Sequence, residues 1–347
     1  MRVFILGSGF SRDAGYPLTN QLRKRFGDFV RRHGEDYQKP WEQFKQWRDR
    51  QIARGGSQAH ICSNQNPEYL FTYLDIASKA FPDGEEGRAV VDDEPSDAAV
   101  EESPLHSLLL VMSRYFASKH LTNRIRDRKM YKSFFSSCIR DGDVIITFNY
   151  DTLPERFLLK SSKWCPGDGY GFGPNLEREC LRASISKPTS TVKILKLHGS
   201  VGWLSGGHLP ENKITLSNKL LEGFGLIPRT DRDWDDLPKR VMLAPSFVKI
   251  FEHPEYYNLW SQAAQALRDA EDVVVIGYSL PEADGAAVAL VTGALQSKRS
   301  RLLVVDPAAD ELRERYKMVT GGRVSTVKEG FAKWADDCFT GFPPASS

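Results

Sequence analysis

Little in this sequence is paired, repeated or concentrated, and each shortage excludes something. The five cysteines (Cys62, Cys138, Cys165, Cys180 and Cys338) are scattered and odd in number, and no Cys-x-x-Cys occurs. That excludes a disulfide framework and a zinc ribbon, and free thiols in a reducing compartment are expected. Long apolar runs are missing: Leu105 to Met112 is interrupted by His106 and Ser107 and is far too short to span a bilayer. The apolar run near the N-terminus is cut short by Arg12-Asp13, unlike a signal peptide, so a cytoplasmic protein is expected. Neither sign of charge is in excess, with 47 Lys and Arg against 45 Asp and Glu. Bulk electrostatics therefore offer no case for nucleic acid or a membrane surface, and neither is expected as a partner. No internal repeat is present. What remains is an ordinary globular balance of 41% hydrophobic and 27% charged residues over 347 positions, enough for one large domain or two.

The strongest signal stands first. Val3-Phe4-Ile5-Leu6 is an unbroken apolar run, followed at once by Gly7-Ser8-Gly9-Phe10-Ser11. This reads as a buried strand, a tight turn and a helix, with glycines that let backbone approach a ligand and amides that face its phosphates. The spacing departs from the dinucleotide fingerprint Gly-x-Gly-x-x-Gly, since Arg12 takes the third glycine's place and the next glycine is Gly15. A plain strand-to-helix turn is the alternative reading.

Residues 20 to 140 read as mostly helical. Leu22, Phe26, Phe29 and Val30 recur at helical spacing among basic residues that form a solvated face. Trp41, Phe44 and Trp47 fall at i, i+3, i+6 and predict core or interface packing. Helices are expected over 69–80, 105–119 and 130–140, with a flexible acidic loop over 82–104. Beyond this insertion, apolar strands are expected at 143–147, 191–197, 241–246, 272–276, 302–305 and 324–327, most followed by a polar turn and a helix. The fold class is α/β, Rossmann-like, with a mostly parallel sheet flanked by helices.

In such sheets ligands bind beyond the carboxyl ends of the strands. Five ends carry small or polar groups: Gly7-Ser8-Gly9, Thr147 to Asp151, His198-Gly199-Ser200, Gly277-Tyr278-Ser279, and Asp306. Packing alone does not ask for that at every end. Taken in order, the series resembles the sirtuin (SIR2) family. Gly7-Ser8-Gly9-Phe10-Ser11 through Gly15-Tyr16-Pro17 is similar to that family's Gly-Ala-Gly-x-Ser-x-x-x-Gly-x-Pro. Thr147-Phe148-Asn149-Tyr150-Asp151 is similar to Thr-Gln-Asn-x-Asp, His198-Gly199 to His-Gly, and Gly277-Tyr278-Ser279 to Gly-x-Ser.

The departures point to a branch. Residues 199 to 270 lack the cysteines of the deacylase zinc module, so no zinc is expected. The Phe-Gly-Glu stretch that helps hold an acyl-lysine peptide is missing near Ala244-Pro245-Ser246-Phe247, and Leu18-Thr19 replaces Phe-Arg. These features resemble the bacterial antiphage-defence SIR2-like proteins, which hydrolyse NAD. The resemblance implies NAD as substrate, with His198 as general base and Asn149 orienting water and ribose. Asp151 would hold its loop or stabilise the developing cation. Gly7, Ser8, Gly9 and Ser11 would cradle the pyrophosphate, with Pro17, Thr147 and Gly277 completing the wall. Ser279 would meet phosphate or ribose, and Asp306 would accept from the adenosine ribose unless it is only a turn residue. His208 and His253 lie in polar segments and read as exposed, and Arg12 and Asp13 carry no assignment.

Three functions follow as expectations. The first is hydrolysis of NAD to nicotinamide and ADP-ribose by a defence effector, triggered by a separate activator or ATPase-type partner chain, or by its own assembly. The second is an NAD-dependent protein deacylase. The third is a non-catalytic sensor of NAD or ADP-ribose. The whole chain, 1–347, reads as one domain carrying the insertion, and Trp41, Phe44 and Trp47 motivate self-association into a homo-oligomer.

Overall fold

The computed structural model describes residues 1–33, 35–63, 67–80, 104–121, 128–176, 190–206, 209–210, 213–223, 239–244, 246, 253–282, 284–295, 300–322 and 324–337. The acidic stretch 82–103 lies outside them, as do Cys180, His208, Pro245, Phe247 and Cys338.

Nine strands are present among these residues: β1 (Arg2–Leu6), β2 (Val144–Thr147), β3 (Lys193–Lys196), β4 (Gly199–Ser205), β5 (Thr215–Leu216), β6 (Lys239–Met242), β7 (Asp272–Ile276), β8 (Arg301–Val305) and β9 (Val324–Val327). Six of them form one sheet in the order β3-β2-β1-β7-β8-β9, and every neighbouring pair is parallel. Parallel strands are covered on both faces, which is why the central ones are apolar without alternation. Val3, Phe4, Ile5 and Leu6, and Val273 to Ile276, are essentially fully buried. Arg2 closes the amino-terminal side. Its Nε and Nη2 lie 3.1 and 2.5 Å from the two carboxylate oxygens of Asp143, and Nη2 also donates to the carbonyl of Cys138 at 2.7 Å.

The chain runs outward from β1 to β2 and β3, then returns to the other side of β1 for β7, β8 and β9. The order therefore reverses between β1 and β7, a topological switch point of the kind beyond whose carboxyl edge ligands bind in open α/β sheets.

The expected helices form with shifted ends: Leu22–His33, Glu35–Arg54, Pro67–Ala80 and Pro104–Leu121 stand between β1 and β2, together with Gly56–Ser63 and Arg128–Ser133. The last continues as one π-helical turn, Phe134–Cys138. Trp41, Phe44 and Trp47 are buried inside the chain, with Trp47 against Tyr73 at 6.2 Å. These three rings supply core, so they no longer motivate an interface between copies. Pro104–Leu121 brings Phe116 against Tyr16 (6.3 Å, near-parallel) and against Tyr150 (5.7 Å), which places the insertion beside the turns that follow β1 and β2.

A second sheet, β5-β4-β6, is antiparallel and has no counterpart in the expected elements beyond β6. It begins directly after His198, where Gly199 sits at φ +81°. A Cβ there would lie 2.1 Å from the Val241 carbonyl oxygen. Only glycine permits that reversal. No helix among the described residues is long and apolar enough to cross a membrane.

Candidate active site

The carboxyl edge is assembled first by backbone. Gly9 N donates to the Gly277 carbonyl at 2.9 Å, and Gly7 N donates to the Ile276 carbonyl at 3.1 Å. Gly277 N in turn donates to the Val305 carbonyl at 3.0 Å, so the ends of β1, β7 and β8 form one unit. A Cβ on Gly277 would come within 2.3 Å of Phe10 N. The glycines thus let two strand ends touch, and the Gly7 and Gly9 amides are engaged by β7 and its turn rather than turned outward.

The short helix Ser8–Arg12 that follows is clamped from below. Phe10 is fully buried among Tyr131, Phe134, Phe135 and Phe331, with ring centroids 4.5–6.0 Å away, and Tyr131 donates to its carbonyl at 2.6 Å. Asp13 accepts from Ala332 N at 3.2 Å, which gives this residue a role as a cap for the helix Phe331–Asp336.

Asn149 crosses the top of the unit. Its Nδ2 donates to the Gly7 carbonyl at 2.8 Å and to Ser11 Oγ at 3.0 Å, which uses both amide hydrogens and fixes which way the group points. Thr147 Oγ1 supports it by accepting from Asn149 N and donating to the Leu6 carbonyl, both at 3.1 Å. Gly7, Gly9, Ser11, Thr147, Asn149 and Gly277 are therefore brought into one bonded set. Ser11 and Thr147 are buried within it, while Asn149 is half-buried with Oδ1 accepting no bond among the described residues. Asn149 does not cap the helix that follows.

Asp151 does that work. It is buried, and its Oδ1 accepts from Leu153 N at 3.0 Å at the start of the helix Leu153–Lys160. Beneath it lies a charged group that sequence reasoning missed. Lys196 and Glu155 are both fully buried, 3.1 Å apart. The Lys196 ammonium also donates to the Asp151 carbonyl, and Tyr170 donates to Glu155 Oε1 at 3.2 Å. Burial raises the Glu155 carboxyl, with Lys196 opposing it. The available signal was a lysine placed within an otherwise apolar strand end.

His198 is buried, edge-on to Phe148 at 5.1 Å and 6.2 Å from the Tyr150 ring. Its Nε2 lies 3.0 Å from Asp284 Oδ2, close but not aligned as a hydrogen bond. Asp284 is a second residue that the sequence did not single out. It precedes the helix Gly285–Leu295, where an Asp reads as an ordinary cap, and it does accept from Ala287 N at 3.3 Å. Tyr278 donates to its Oδ2 at 3.1 Å and stacks on Phe148 at 4.3 Å. Burial, reinforced by Asp284, raises the Tyr278 and Tyr150 phenols well above their ordinary range. Both therefore stay protonated as donors, Tyr150 to the Leu243 carbonyl at 2.5 Å.

Ser279, Asp306 and Pro17 stand outside the bonded set. Ser279 is exposed, its carbonyl held by Arg315 at 2.8 Å, and the next residue, Leu280, takes φ +46°. Asp306 is half-buried and accepts from Ala308 N at 2.8 Å, and burial raises its carboxyl. Pro17 is buried. Ser8, Asn149, Ser279 and Asp306 are the proposed residues at this edge with solvent-accessible side chains. His253 is buried rather than exposed, its Nδ1 accepting from Glu255 N at 3.2 Å. Among the described residues no group of three His, Cys, Asp or Glu gathers as a metal site.

No family model and no curated protein matches the chain. Solved structures do. A mutant Sir2 homologue in complex with 2′-O-acetyl ADP ribose is similar at 12% identity and a TM-score of 0.44, covering 97% of this chain and 90% of that one. A Sir2 homologue in complex with NAD is similar at 13% identity and a TM-score of 0.43, covering 97% and 87%. Sir2 with a p53 peptide and NAD+ is similar at 14% identity and a TM-score of 0.38, covering 97% and 91%.

Proposed function

We propose that this chain is an NAD hydrolase whose site is the β1/β7 crevice, with the insertion 20–140 forming one wall of a single domain. The observation that supports this most is Asn149. Its Nδ2 is clamped to the glycine turn, so Oδ1 is left as a fixed neutral acceptor at the mouth of the crevice. His198 packs on the neighbouring Phe148.

The reaction has modest demands. The bond from ribose C1′ to the pyridinium nitrogen breaks, and its electron pair stays with the nitrogen, so nicotinamide leaves neutral without a proton donor. Positive charge develops on the ribose in an oxocarbenium-like transition state. Water adds to C1′, and its proton passes to His198 and then to solvent. NAD+ and water thus give nicotinamide, ADP-ribose and one proton. Asn149 Oδ1 orients the water or a ribose hydroxyl without bringing charge. Asp151, used as a helix cap, holds the loop. Ser8 and Ser279 meet the pyrophosphate side. Asp306 accepts from the adenosine ribose, and its charge disfavours a 2′-phosphate.

In the cell such an enzyme depletes NAD as a defence effector, under a separate activator chain. The test is product analysis by chromatography after incubation with NAD, with wild type beside Asn149→Ala and His198→Ala. Nicotinamide and ADP-ribose in equal amounts from wild type alone support the reading. Product formed only with an added acyl-lysine peptide assigns the deacylase instead. Tight NAD binding without turnover, even with candidate activator chains added, assigns the sensor.

A further inference from the structure

We propose that Asp284 is the positioning residue of His198: it holds the ring at Nε2 and balances the charge that the imidazole gains on taking a proton. This deepens the reading above and rests on it for the role of His198, though not for the pairing itself.

The pairing stands on geometry. Asp284 is buried, and its carboxylate is fixed from two other sides. Ala287 N at the start of the helix Gly285–Leu295 takes Oδ1, and the Tyr278 phenol takes Oδ2. Its backbone is fixed too, with N donating to the Pro281 carbonyl at 2.9 Å and O accepting from Val288 N at 3.0 Å. A carboxylate held this way cannot swing to meet the ring, so the ring must come to it, and Nε2 stands 3.0 Å away. The contact is an ion-pair approach rather than an aligned hydrogen bond. The backbone of His198 is fixed independently, its carbonyl accepting from Leu243 N at 2.9 Å.

The charged and titratable groups around the ring come from four elements. Asp284 leads its helix, Tyr278 leaves β7, Tyr150 leaves β2, and Glu68 on the helix Pro67–Ala80 acts electrostatically on both tyrosines. The phenols stay neutral, so the carboxylates set the field, and Asp284 is the one in contact. A base that must become a cation in a buried site needs such a partner. A cap residue alone would not need to lie against an imidazole.

The experiment uses the full chain labelled with 13C at histidine Cε1. The His198 resonance is assigned by its loss in His198→Gln and titrated in wild type, Asp284→Asn and Asp284→Glu. Asparagine keeps the helix cap and removes the charge, and glutamate keeps the charge. The His198 midpoint is expected to fall by about one pH unit or more in Asp284→Asn and to stay near wild type in Asp284→Glu. With NAD as substrate, kcat is expected to fall about 100-fold in Asp284→Asn with little change in KM. An unchanged midpoint in folded Asp284→Asn overturns the pairing. A shifted midpoint in a protein whose wild type releases no nicotinamide even with candidate activator chains added supports the pairing and overturns the hydrolase reading instead.

Discussion

Gly277→Ala adds one methyl group where the ends of β1 and β7 touch. The new Cβ would lie 2.3 Å from Phe10 N, 2.5 Å from Gly9 C and 2.6 Å from Gly9 Cα, all backbone atoms that cannot rotate aside. Ordinary contact needs about 3.5 Å or more, so the two turns must part by about 1 Å. Alanine must also hold φ +61°. The dihedral costs about 1–3 kcal/mol and the overpacking another ~1–3 kcal/mol. A total of about 2–6 kcal/mol is a large share of a stability of roughly 5–15 kcal/mol. Gly293 offers the matched control. It lies in the helix Gly285–Leu295, and a Cβ there would meet nothing within 4 Å. Gly293→Ala is therefore expected to stabilise by about 0.5–1 kcal/mol. Urea unfolding followed by circular dichroism reads both midpoints, and they should move in opposite directions. A Gly277→Ala midpoint within error of wild type would refute the close approach of the two strand ends.

Other consequences follow from the same structure. Lys196→Met strands the fully buried Glu155 carboxylate and is expected to cost about 3–5 kcal/mol. Adding Glu155→Gln should recover most of that loss, and a double-mutant cycle by urea unfolding reads the coupling. Burial raises the Asp306 carboxyl, so its contribution to stability is complete below the ordinary carboxylate range and is lost as pH climbs through the raised value. Asp306→Asn keeps the acceptor for Ala308 N and removes the charge. It should melt above wild type at about pH 7 and converge with it at about pH 3, which thermal unfolding at the two values checks. Burial pushes the Cys138 thiol up to about 11 against the opposing charges of Arg2, Arg140 and Lys163. A thiol reagent at about pH 8 should therefore leave Cys138 unmodified until the chain is unfolded, which peptide mass mapping detects.

The parallel strands were legible because burial on both faces makes them apolar throughout. Residues 272–276 and 324–327 form strands with the bounds expected. The glycine turn was legible as a turn, but not what it packs on, because the partner of Gly9 is Gly277, far along the chain. The antiparallel sheet escaped notice for a local reason. β4 mixes Gly199, Ser200 and Ser205 with Val201, Trp203 and Leu204, all of them buried, so no alternation marks it, and β5 has only two residues. The strand-end motifs that carry Asn149 and His198 were readable from the sequence. Asp284 and Lys196 were not, since a residue type that caps a helix or interrupts a strand carries no sign of its distant partner. Asp151 was open between two roles, and its bond to Leu153 N favours the structural one.

The central claim is that NAD occupies the β1/β7 crevice with its nicotinamide ribose at Asn149 and His198. A crystal structure of the His198→Ala variant with NAD tests it most directly. The account predicts dinucleotide along the carboxyl edge, ribose C1′ facing Asn149 Oδ1, and pyrophosphate beside Ser8 and Ser279. NAD bound away from this edge, with Asn149 still clamped to Gly7 and Ser11 and touching no ligand, would contradict it.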